Sequence, residues 1–482
     1  MGSHRNYYKR GISYLKRNGL KSAAYKAAER IFRDRNEKGY RPFHADETEL
    51  ARQREHVFDH PYMFSILVPV YETAPDVFRA MLESVAAQTY GNWELILADA
   101  SRDDSRRGIV RRFTEEHRTD RKDRFGNIED KVRYIRIEEN KGISANTNAA
   151  LEAAKGDYTG LLDHDDVLEN TALFDIMSAI EEAEKSGQGD DVITRVAAVY
   201  TDEDKISADG GTYFDPHIKG GFDPVLLCTN NYICHFFVAD TNLARSVGGF
   251  RSEYDGAQDH DFILRCTEGR RQGIIHVPKV LYHWRSTPGS TSENPDAKLY
   301  AYEAGKRAVS DHLRRTGTGA KVTDSPHLGF FVIEYDRLHR SVICVTPDEL
   351  SEKAAGPEEF ILVLSPSLKP LDGDYIADMM SCMQLENVGA VTGRIIGSGN
   401  RIESAGYGAD ENGNIIPCFA GLYRRFSGYM HRADLDRLSK GFAPDCVLLR
   451  KDAVQRYAPK IELKDGYDIY YKPVATFKRS GK

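Results

Sequence analysis

The chain has 482 residues, too many for one ordinary hydrophobic core, so two or three domains are expected. Its formal net charge of −7 argues against nucleic acid as the main partner. The seven cysteines show no metal-ligand spacing, which favours a reduced, intracellular protein. No signal peptide is recognisable and no apolar run is long enough to span a bilayer, so neither secretion nor a membrane span is expected.

Residues 1–60 are predicted to form a basic helical segment followed by a linker. One face of the helix carries the apolar residues at helical spacing: Leu20, Ala24, Ala27, Ala28 and Ile31. Lysines and arginines surround them, which leaves two interpretations open. The helix could lie on an anionic membrane surface, or it could pack on the body of the protein. Because most of the apolar residues are alanines, the face is shallow and does not decide between the two.

Residues 61–320 alternate between short apolar strands and amphipathic helices. The predicted strands are "FSILVPV", "WELILAD", "VRYIR" and "YTGLL", and helical periodicity follows the first strand and precedes the fourth. This alternation predicts an α/β fold with a mostly parallel sheet. Ligands of such sheets lie at the carboxyl ends of the strands. The polar strand ends should therefore converge on one crevice: 71–72, 99–101, 140–142 and 163–166.

The turn after the first strand reads "VPVYETAP" and contains no glycine. The Gly-rich phosphate loop of dinucleotide-binding folds is therefore missing from that turn, which argues against a nicotinamide oxidoreductase. Nucleotidyltransferases usually have a Gly-rich, basic loop at this place, so they fit equally poorly.

The fourth strand runs into the acidic stretch "LLDHDD". Asp163 and Asp165 are two residues apart on an extended segment, so both carboxylates can point the same way. Hard oxygen ligands of this kind suit Mg²⁺ or Mn²⁺, completed by water and substrate phosphates. The alternative is a solvated acidic turn in which Asp166 or Asn170 caps the next helix. The position at the end of an apolar strand favours the metal site.

Six motifs stand in the order found in glycosyltransferase family 2, the inverting enzymes of GT-A fold, which the chain resembles over roughly residues 62–315. They read "SILVPVYET", "ILADASRDD", "NKGISANTNAALEAAKGDY", "LLDHDDVLEN", "GGFRSEYDGAQDHDFILR" and "VPKVLYHWR". "YTDEDKI" and "NNYICHFFV" make the chain similar to the bacterial branch that builds O-antigens and cell-wall polysaccharides. The resemblance implies a GT-A domain with a Rossmann-like sheet.

The resemblance also implies a nucleotide pocket at the strand ends. The residues that match its motifs are Pro69, Tyr71, Glu72, Asp99, Lys141, Gly142, Asn148 and Asp163. Among them Asp99 would hydrogen-bond the base, and Asp163 would face the ribose or the metal. Lys141 could instead be a surface lysine on a loop.

The same motifs imply how the donor's diphosphate is held. Asp165 would be the principal ligand of Mg²⁺ or Mn²⁺, and His283 a third ligand of the metal or of the diphosphate. Arg285 would neutralise the leaving diphosphate, since a planar guanidinium binds phosphate well.

The catalytic base for the acceptor hydroxyl is the aspartate at the position of Asp259 in the family pattern. The alternative for Asp259 is a carboxylate at a helix N-terminus that favours the helix dipole. Asp261 is two residues further and would point elsewhere on a helix. Asp202 and Glu203 are placed near the acceptor, with a surface turn as the alternative. Trp284 could be a core residue or a platform for a sugar.

The implied activity is transfer of a sugar from a UDP-hexose or dTDP-rhamnose, with inversion, to a hydroxyl of a growing surface polysaccharide. The acceptor is expected on a polyprenyl carrier. The enzyme would be cytoplasmic and peripheral on the inner face of the membrane, docked by its basic N-terminus. The alternative is a non-catalytic protein of the same fold that binds nucleotides or glycans as an assembly scaffold.

Residues 340–482 are predicted to form a second, smaller domain after a linker at 321–339. "YTGLLDHDDVLENTALFDIM" and "FILVLSPSLKPLDGDYIADMM" align so that strand and helix coincide. Ser365 and Ser367 then replace the two metal-binding aspartates. The second domain is therefore expected to hold no metal.

A second alignment, of "VPKVLYHW" with "KPVATFK", puts Lys478 near the place of His283. We interpret the second domain as a truncated GT-A-like copy without catalytic motifs; chance similarity of two α/β segments is the alternative. Such a remnant could form a homodimer surface, hold the acceptor glycan or stabilise the protein.

Overall fold

The computed structural model describes most of the chain and divides it into two compact units. The first unit lies within 36–222 and 231–312, and the second within 7–35, 223–230 and 313–482. The stretch 321–339, expected to be a linker, lies in the second unit and contains a β-hairpin. The described residues are 15, 19, 20, 23–31, 39–118, 125–186, 195–286, 299–371 and 373–480.

Helices with determined bounds occur in both units. They are α1 (Glu47–Glu55), α2 (Pro75–Ala86), α3 (Ser105–Glu116), α4 (Ile128–Lys131), α5 (Ile143–Ala153), α6 (Ala172–Ser186), α7 (Pro224–Thr229), α8 (Thr241–Ser246), α9 (Gln258–Thr267), α10 (Leu299–Arg315), α11 (Leu350–Lys353) and α12 (Tyr375–Cys382).

The strands of the first unit form one nine-stranded sheet. They are β1 (Phe64–Val70), β2 (Trp93–Asp99), β3 (Val132–Arg136), β4 (Tyr158–Leu161), β5 (Val167–Leu168), β6 (Ala198–Ser207), β7 (Tyr213–His217), β8 (Phe237–Asp240) and β9 (Ile274–Ser286).

The strands of the second unit form one eight-stranded sheet and three two-stranded ones. They are β10 (Ala320–Asp324), β11 (Phe331–Tyr335), β12 (Val342–Val345), β13 (Phe360–Leu364), β14 (Leu368–Pro370), β15 (Val388–Ile396), β16 (Ile402–Ala405), β17 (Tyr407–Ala409), β18 (Ile415–Pro417), β19 (Arg437–Ser439), β20 (Cys446–Arg450), β21 (Val454–Arg456), β22 (Glu462–Leu463) and β23 (Asp468–Arg479).

The first sheet has the order β3-β2-β1-β4-β8-β6-β9-β5, with β7 paired to β6. Its first four strands are parallel, as predicted, and every residue of β1 and β2 is buried. Apolar runs of this kind are typical of strands covered on both faces. The antiparallel strand β8 separates β4 from β6, so the second half of the sheet is mixed rather than parallel. The predicted α/β fold is confirmed with that difference.

The strand ends converge as expected, because the parallel register is in step. Val70 lies opposite Asp99, and Asp99 lies opposite Arg136. Backbone hydrogen bonds continue past the strands, from Ala100 to Val70 and from Leu162 to Leu67. The polar residues that follow these strands therefore leave the sheet along the same edge.

The described N-terminal residues 23–31 are helical, and their apolar positions are exposed. Leu20 keeps 76% and Ile31 58% of its accessible surface. The opposite, polar side contacts the rest of the second unit. There Tyr25 stacks on Tyr423 with ring centroids 6.2 Å apart. Packing on the protein thus uses the polar face and leaves the apolar face uncovered within the described residues.

The main sheet of the second unit repeats seven of the nine strands of the first sheet. Its order is β12-β13-β20-β15-β23-β14, with β16 paired to β15. This order matches β1-β4-β8-β6-β9-β5, with β7 paired to β6, and the strand directions agree pair by pair. The pairs β1–β4 and β12–β13 are parallel, as are β6–β9 and β15–β23, and the other corresponding pairs are antiparallel. Among the described residues the second unit has no counterpart of β2 and β3.

The register of the two sheets supports the alignment made from the sequence. Val167 lies opposite His283 in the first unit, and Lys369 lies opposite Lys478 in the second. His283 also lies opposite Asp204, and Lys478 opposite Ile396. Lys478 is thus the positional equivalent of His283.

The place of the acidic group is neutral in the second unit. The hydroxyls of Ser365 and Ser367 lie 2.8 Å apart. The guanidinium of Arg479 donates to Ser367 (3.3 Å) and pairs with Asp445 and Glu403, each at 2.7 Å. A permanent cation therefore already pairs with both carboxylates at this strand end, which disfavours a bound divalent ion.

Candidate active site

The ends of β1 and β2 are joined by side-chain to backbone hydrogen bonds. The backbone N–H of Glu72 donates to the hydroxyl of Ser101 (3.0 Å), and that of Arg102 donates to Glu72 Oε1 (3.0 Å). Glu72 has a φ of +50°, which is unusual for a residue with a side chain. Tyr71 beside it is exposed and Pro69 is buried. These residues lie together at the carboxyl ends of the parallel strands.

Asp99 is the last residue of β2, beside these residues, and is fully buried. Its carboxylate accepts hydrogen bonds from the N–H of Ser101 (2.8 Å) and the hydroxyl of Tyr134, and Arg136 lies 3.8 Å away. Burial and the carboxylate of Asp99 raise the pKa of Tyr134. Contact of Asp99 with a nucleotide base stays a prediction.

The loop before α5 is held by residues on both sides. Asn140 Oδ1 accepts the N–H of Gly142 (3.1 Å), which has a φ of +99°. A Cβ at Gly142 would lie 2.3 Å from a carboxylate oxygen of Asp255, so only glycine fits there. Asp255 in turn accepts hydrogen bonds from the backbone and hydroxyl of Ser144. The segment that leads to Asp259 is therefore tied to this loop.

Two further nucleotide-pocket candidates have different surroundings. Lys141 is exposed, with its ammonium 3.5 Å from Glu139. The amide of Asn148 donates to the carbonyl of Phe250 (2.7 Å) and accepts its N–H (2.8 Å). Asn148 thus fixes the turn before the "FRSEYDGAQDHD" segment, while Lys141 remains accessible to a ligand.

Three aspartates meet at the end of β4. Oxygens of Asp163, Asp165 and Asp166 lie within 4.8 Å of one another. Asp166 is fully buried and accepts the hydroxyl of Tyr282 (2.5 Å) and the N–H of Arg285 (2.7 Å). Burial, followed by the charges of the two other aspartates, raises the pKa of Asp166 well above its ordinary range.

The interpretation of "DHDD" as a solvated helix cap is therefore wrong for Asp166. Helix α6 begins at Ala172, and the carboxylate of Asp166 bonds to β9 instead. At the start of α6 the hydroxyl of Thr171 donates to Asp175 (2.7 Å). The acidic group is built by strand pairing and is independent of the helix.

The donor set of this group fits a hard divalent cation. It consists of carboxylate oxygens only, which suit Mg²⁺ or Mn²⁺. In the part of the chain that the structure describes, no side-chain nitrogen of a lysine or arginine pairs with these carboxylates within 4.0 Å; His164 approaches Asp165 at 3.8 Å. Burial raises the pKa of Asp163 as well. Such a group gains stability when a cation neutralises it.

His283 is buried in a separate hydrogen-bonded chain. Its Nδ1 lies 2.6 Å from Asp204, and its Nε2 lies 3.5 Å from Glu169, which is also 2.7 Å from His44. The group of three aspartates does not include His283. Although burial alone would lower it, the hydrogen bond to Asp204 and the nearby carboxylate of Glu169 raise the pKa of His283 to about 9. Its role as a metal ligand stays a prediction.

Arg285 and Trp284 follow His283 at the end of β9. The Arg285 Nε donates to the carbonyl of Asp165 (2.8 Å), and its Nη1 reaches the carbonyl of Ala208 at 3.2 Å. Arg285 thus braces the acidic loop, and binding of a diphosphate by it stays a prediction. Trp284 is half-buried and packs against the main core of the unit.

The acids of "YTDEDKI" are not in a surface turn. Asp202, Glu203 and Asp204 all lie on β6 and are buried. Asp202 pairs with His276 (2.8 Å), and Glu203 with His217 (3.0 Å). The surface-turn alternative is wrong, and these carboxylates are engaged inside the unit. Contact of Asp202 or Glu203 with the acceptor stays a prediction.

Asp259 lies in the first turn of α9, where a carboxylate also favours the helix dipole. Its Oδ2 accepts the amide of Asn231 (2.9 Å) and lies 3.6 Å from the thiol of Cys234. Its Oδ1 has no hydrogen bond from any described residue. Asp261 is fully buried and pairs with Arg265 at 2.7 Å, so it points elsewhere.

The sequence did not single out the residues of "NNYICHFFV" that lie beside Asp259. His235 stacks on Tyr282 with ring centroids 4.6 Å apart. Its positive charge opposes the effect of burial on the pKa of Asp163. Asn231 and Cys234 contact Asp259. One segment thus contacts Asp259 directly and the acidic group through Tyr282. A histidine beside a cysteine ahead of an apolar strand was the available signal.

Known proteins match this unit. Residues 65–230 match the family described as Glycosyl transferase family 2. This domain belongs to glycosyltransferase family 2. The match confirms three predictions made from the sequence. They are the family of this domain, its GT-A fold class and its nature as a glycosyltransferase domain.

Three curated relatives are similar to part of this chain. An uncharacterized protein of Sinorhizobium fredii is 42% identical over 54% of this chain and 26% of its own length. The O-antigen biosynthesis protein RfbC of Myxococcus xanthus is 31% identical over 54% of this chain and 19% of its own. The Escherichia coli UDP-Glc:alpha-D-GlcNAc-diphosphoundecaprenol beta-1,3-glucosyltransferase WfgD is 31% identical over 22% and 36%. The chain spans well under half of each relative.

The buried histidine of the glycosyltransferase domain predicts a pH dependence of stability. His283 holds its proton in the folded state to about pH 9, and an unfolded histidine loses it near 6.5. Its contribution is therefore complete below pH 6.5 and declines, by about 3 kcal/mol in all, as the pH rises to 9. Urea unfolding of wild type and His283→Gln from pH 6 to 9.5 should show the difference between them shrinking with pH. A constant difference would contradict the protonated state.

Proposed function

We propose that the glycosyltransferase domain transfers a sugar, with inversion, from a nucleotide-diphosphate sugar to a hydroxyl of a bacterial surface polysaccharide. The observation that carries the proposal is the joint presence of the acidic group and Asp259: the segment 231–235 contacts Asp259 directly, and its His235 stacks on Tyr282, which donates to the acidic group. The alternative, a non-catalytic binding protein, needs no base beside the acidic group. The described geometry therefore favours the enzyme.

Asp163 and Asp165 would hold Mg²⁺ or Mn²⁺, with Asp166 as the buried third carboxylate. When bound, the ion supplies positive charge that stabilises the leaving nucleoside diphosphate. Asp259 accepts the proton of the acceptor hydroxyl at Oδ1, while Asn231 holds Oδ2. The hydroxyl oxygen forms a bond to the anomeric carbon as the bond from that carbon to the diphosphate breaks, which inverts configuration.

The names of two relatives support the proposed classes of donor and acceptor in part. WfgD is named for UDP-glucose and a diphosphoundecaprenol acceptor, and RfbC for O-antigen biosynthesis. We therefore propose a UDP-hexose or dTDP-rhamnose as donor and a polyprenyl-linked glycan as acceptor. Both are used at the inner face of the cell membrane.

We further propose that the N-terminal helix docks on that membrane. No described helix combines the length and apolarity that crossing a bilayer requires, so attachment would be peripheral. The apolar positions of the helix, including Leu20 and Ile31, are exposed. Basic residues outnumber acidic ones in this part of the sequence, which suits anionic lipid headgroups.

Asp165→Asn should remove the metal-dependent part of nucleotide binding. Wild-type protein with Mn²⁺ and a hundredfold excess of UDP or dTDP over its Kd should gain about 2.7 kcal/mol of stability. The variant should show no extra thermal shift on adding Mn²⁺, because the principal ligand is lost. The control Glu182→Gln, an exposed acid on α6, should behave like wild type. An Mn²⁺-dependent shift that survives in Asp165→Asn would place the metal elsewhere.

Asp259→Asn should lower the transfer rate by about 10²–10⁴-fold, because the acceptor proton loses its base. The thermal shift with UDP or dTDP and Mn²⁺ should be unchanged, since Asp259 is not among the metal-competent aspartates. Glu253→Gln, an exposed acid just before α9, is the matched control and should keep the wild-type rate. Transfer by Asp259→Asn at the wild-type rate would identify another base.

The double variant Leu20→Glu/Ile31→Glu should sediment less with anionic liposomes, by roughly tenfold, because charged side chains oppose insertion of the apolar face. Binding of the wild type should weaken with salt. Ile415→Glu/Ile416→Glu, which changes exposed isoleucines of β18, is the control and should sediment like wild type. Equal sedimentation of all three proteins would exclude docking through this helix.

A further inference from the structure

The segment Asn231–His235 surrounds one oxygen of the proposed base. The Asn231 amide donates to Asp259 Oδ2 (2.9 Å), and the Cys234 thiol lies 3.6 Å from the same oxygen. The backbone N–H of Cys234 also donates to the side-chain oxygen of Asn231 (3.2 Å). The two groups that face Asp259 are therefore fixed to each other.

This segment is held in a conformation that its sequence does not favour. Cys234 has a φ of +34°, in the left-handed region that residues with side chains rarely adopt. Such a conformation persists only where the surroundings fix it. Lys219 and Glu203, neither of which belongs to this segment, make the contacts that fix it.

Lys219 provides the first of these contacts. Its side chain has no exposed surface, and its ammonium donates to the carbonyls of Ile233 (2.5 Å) and His235, which flank Cys234. A buried ammonium without such acceptors would be strongly destabilised. The hydrogen bonds of the lysine therefore fix the backbone on both sides of the left-handed residue Cys234.

Glu203 provides the second contact. Its Oε2 accepts the backbone N–H of His235 (3.2 Å) and the ring Nδ1 of the same residue (3.0 Å). The Lys219 ammonium lies 3.6 Å from this oxygen, and His217 bonds the other one at 3.0 Å. Although burial alone would raise it, Lys219 and the two histidines hold the pKa of Glu203 well below its ordinary range.

We propose that Lys219 and Glu203 are positioning residues for sugar transfer. They fix the segment Asn231–His235 by hydrogen bonds to Ile233 and His235. Asn231 and Cys234 then hold Oδ2 of Asp259 and leave Oδ1 for the acceptor. The inference rests on the proposed function, in which Asp259 is the base. A base displaced by about 1 Å can lose two orders of magnitude in rate, although nothing has changed in the nucleotide pocket.

The same residues do not make a convincing second metal site. Glu203, Cys234 and His235 bring ligand atoms within 4.8 Å of one another. The ammonium of Lys219 already supplies the positive charge beside Glu203, and both carboxylate oxygens accept hydrogen bonds. A cation placed there would be repelled by a buried lysine.

The test compares turnover with nucleotide binding in the full-length protein. Lys219→Met and Asn231→Ala should each lower kcat at least tenfold, while the donor KM and the UDP or dTDP thermal shift with Mn²⁺ change by less than twofold. Combining the two should cost little more than Lys219→Met alone, because both act through Asp259. The control Lys131→Met changes another buried lysine of the unit and should keep kcat within twofold.

Further variants keep the test decisive if Lys219→Met does not fold. Glu203→Gln keeps the shape of the side chain, and it should lower kcat with the same split as Asn231→Ala. A kcat within twofold of wild type in Asn231→Ala and Glu203→Gln would overturn the inference, as would an equal loss of nucleotide affinity. Activity of Asp259→Asn would instead overturn the proposed function. An inactive Asp259→Asn beside active Asn231→Ala and Lys219→Met would overturn the positioning role alone.

Discussion

The first unit depends on one buried carboxylate. Asp166 accepts hydrogen bonds from the hydroxyl of Tyr282 and the backbone of Arg285, and these attach the loop after β4 to the end of β9. The attachment brings two further aspartates beside it, although like charges repel. Strand pairing therefore supplies the energy that keeps the acids together. In the proposed function a divalent cation would offset this repulsion.

The sequence was sufficient for the parallel part of the first unit and for the acidic strand end. β1 and β2 are predominantly apolar runs, and every residue in them is buried. It was insufficient at β6, where Asp202, Glu203 and Asp204 were placed near the acceptor or in a surface turn rather than inside the sheet. Register shifts against β9 interrupt the alternation of sides at this point, so successive acids can all be buried. Their partners His276 and His217 are distant in sequence, and no local pattern indicates them.

The residues around Asp259 were missed for a related reason. "NNYICHFFV" looks like the approach to a buried strand, and the left-handed Cys234 leaves no mark in composition. Its geometry is imposed by Lys219 and Glu203, which belong to other elements. Tertiary contacts of this kind override local preference, and such sites are often functional. Asp259 itself was recognisable because its motif is contiguous.

The two sheets show how one architecture can be kept with opposite electrostatics. In the second unit Arg479, bonded to Ser367, Asp445 and Glu403, stands at the strand end that is acidic in the first. A guanidinium is part of the chain: it cannot dissociate, be chelated or be exchanged for another metal. The second unit thus has its counterion as a side chain of its own sequence. We therefore expect its fold to be independent of the supply of divalent metal.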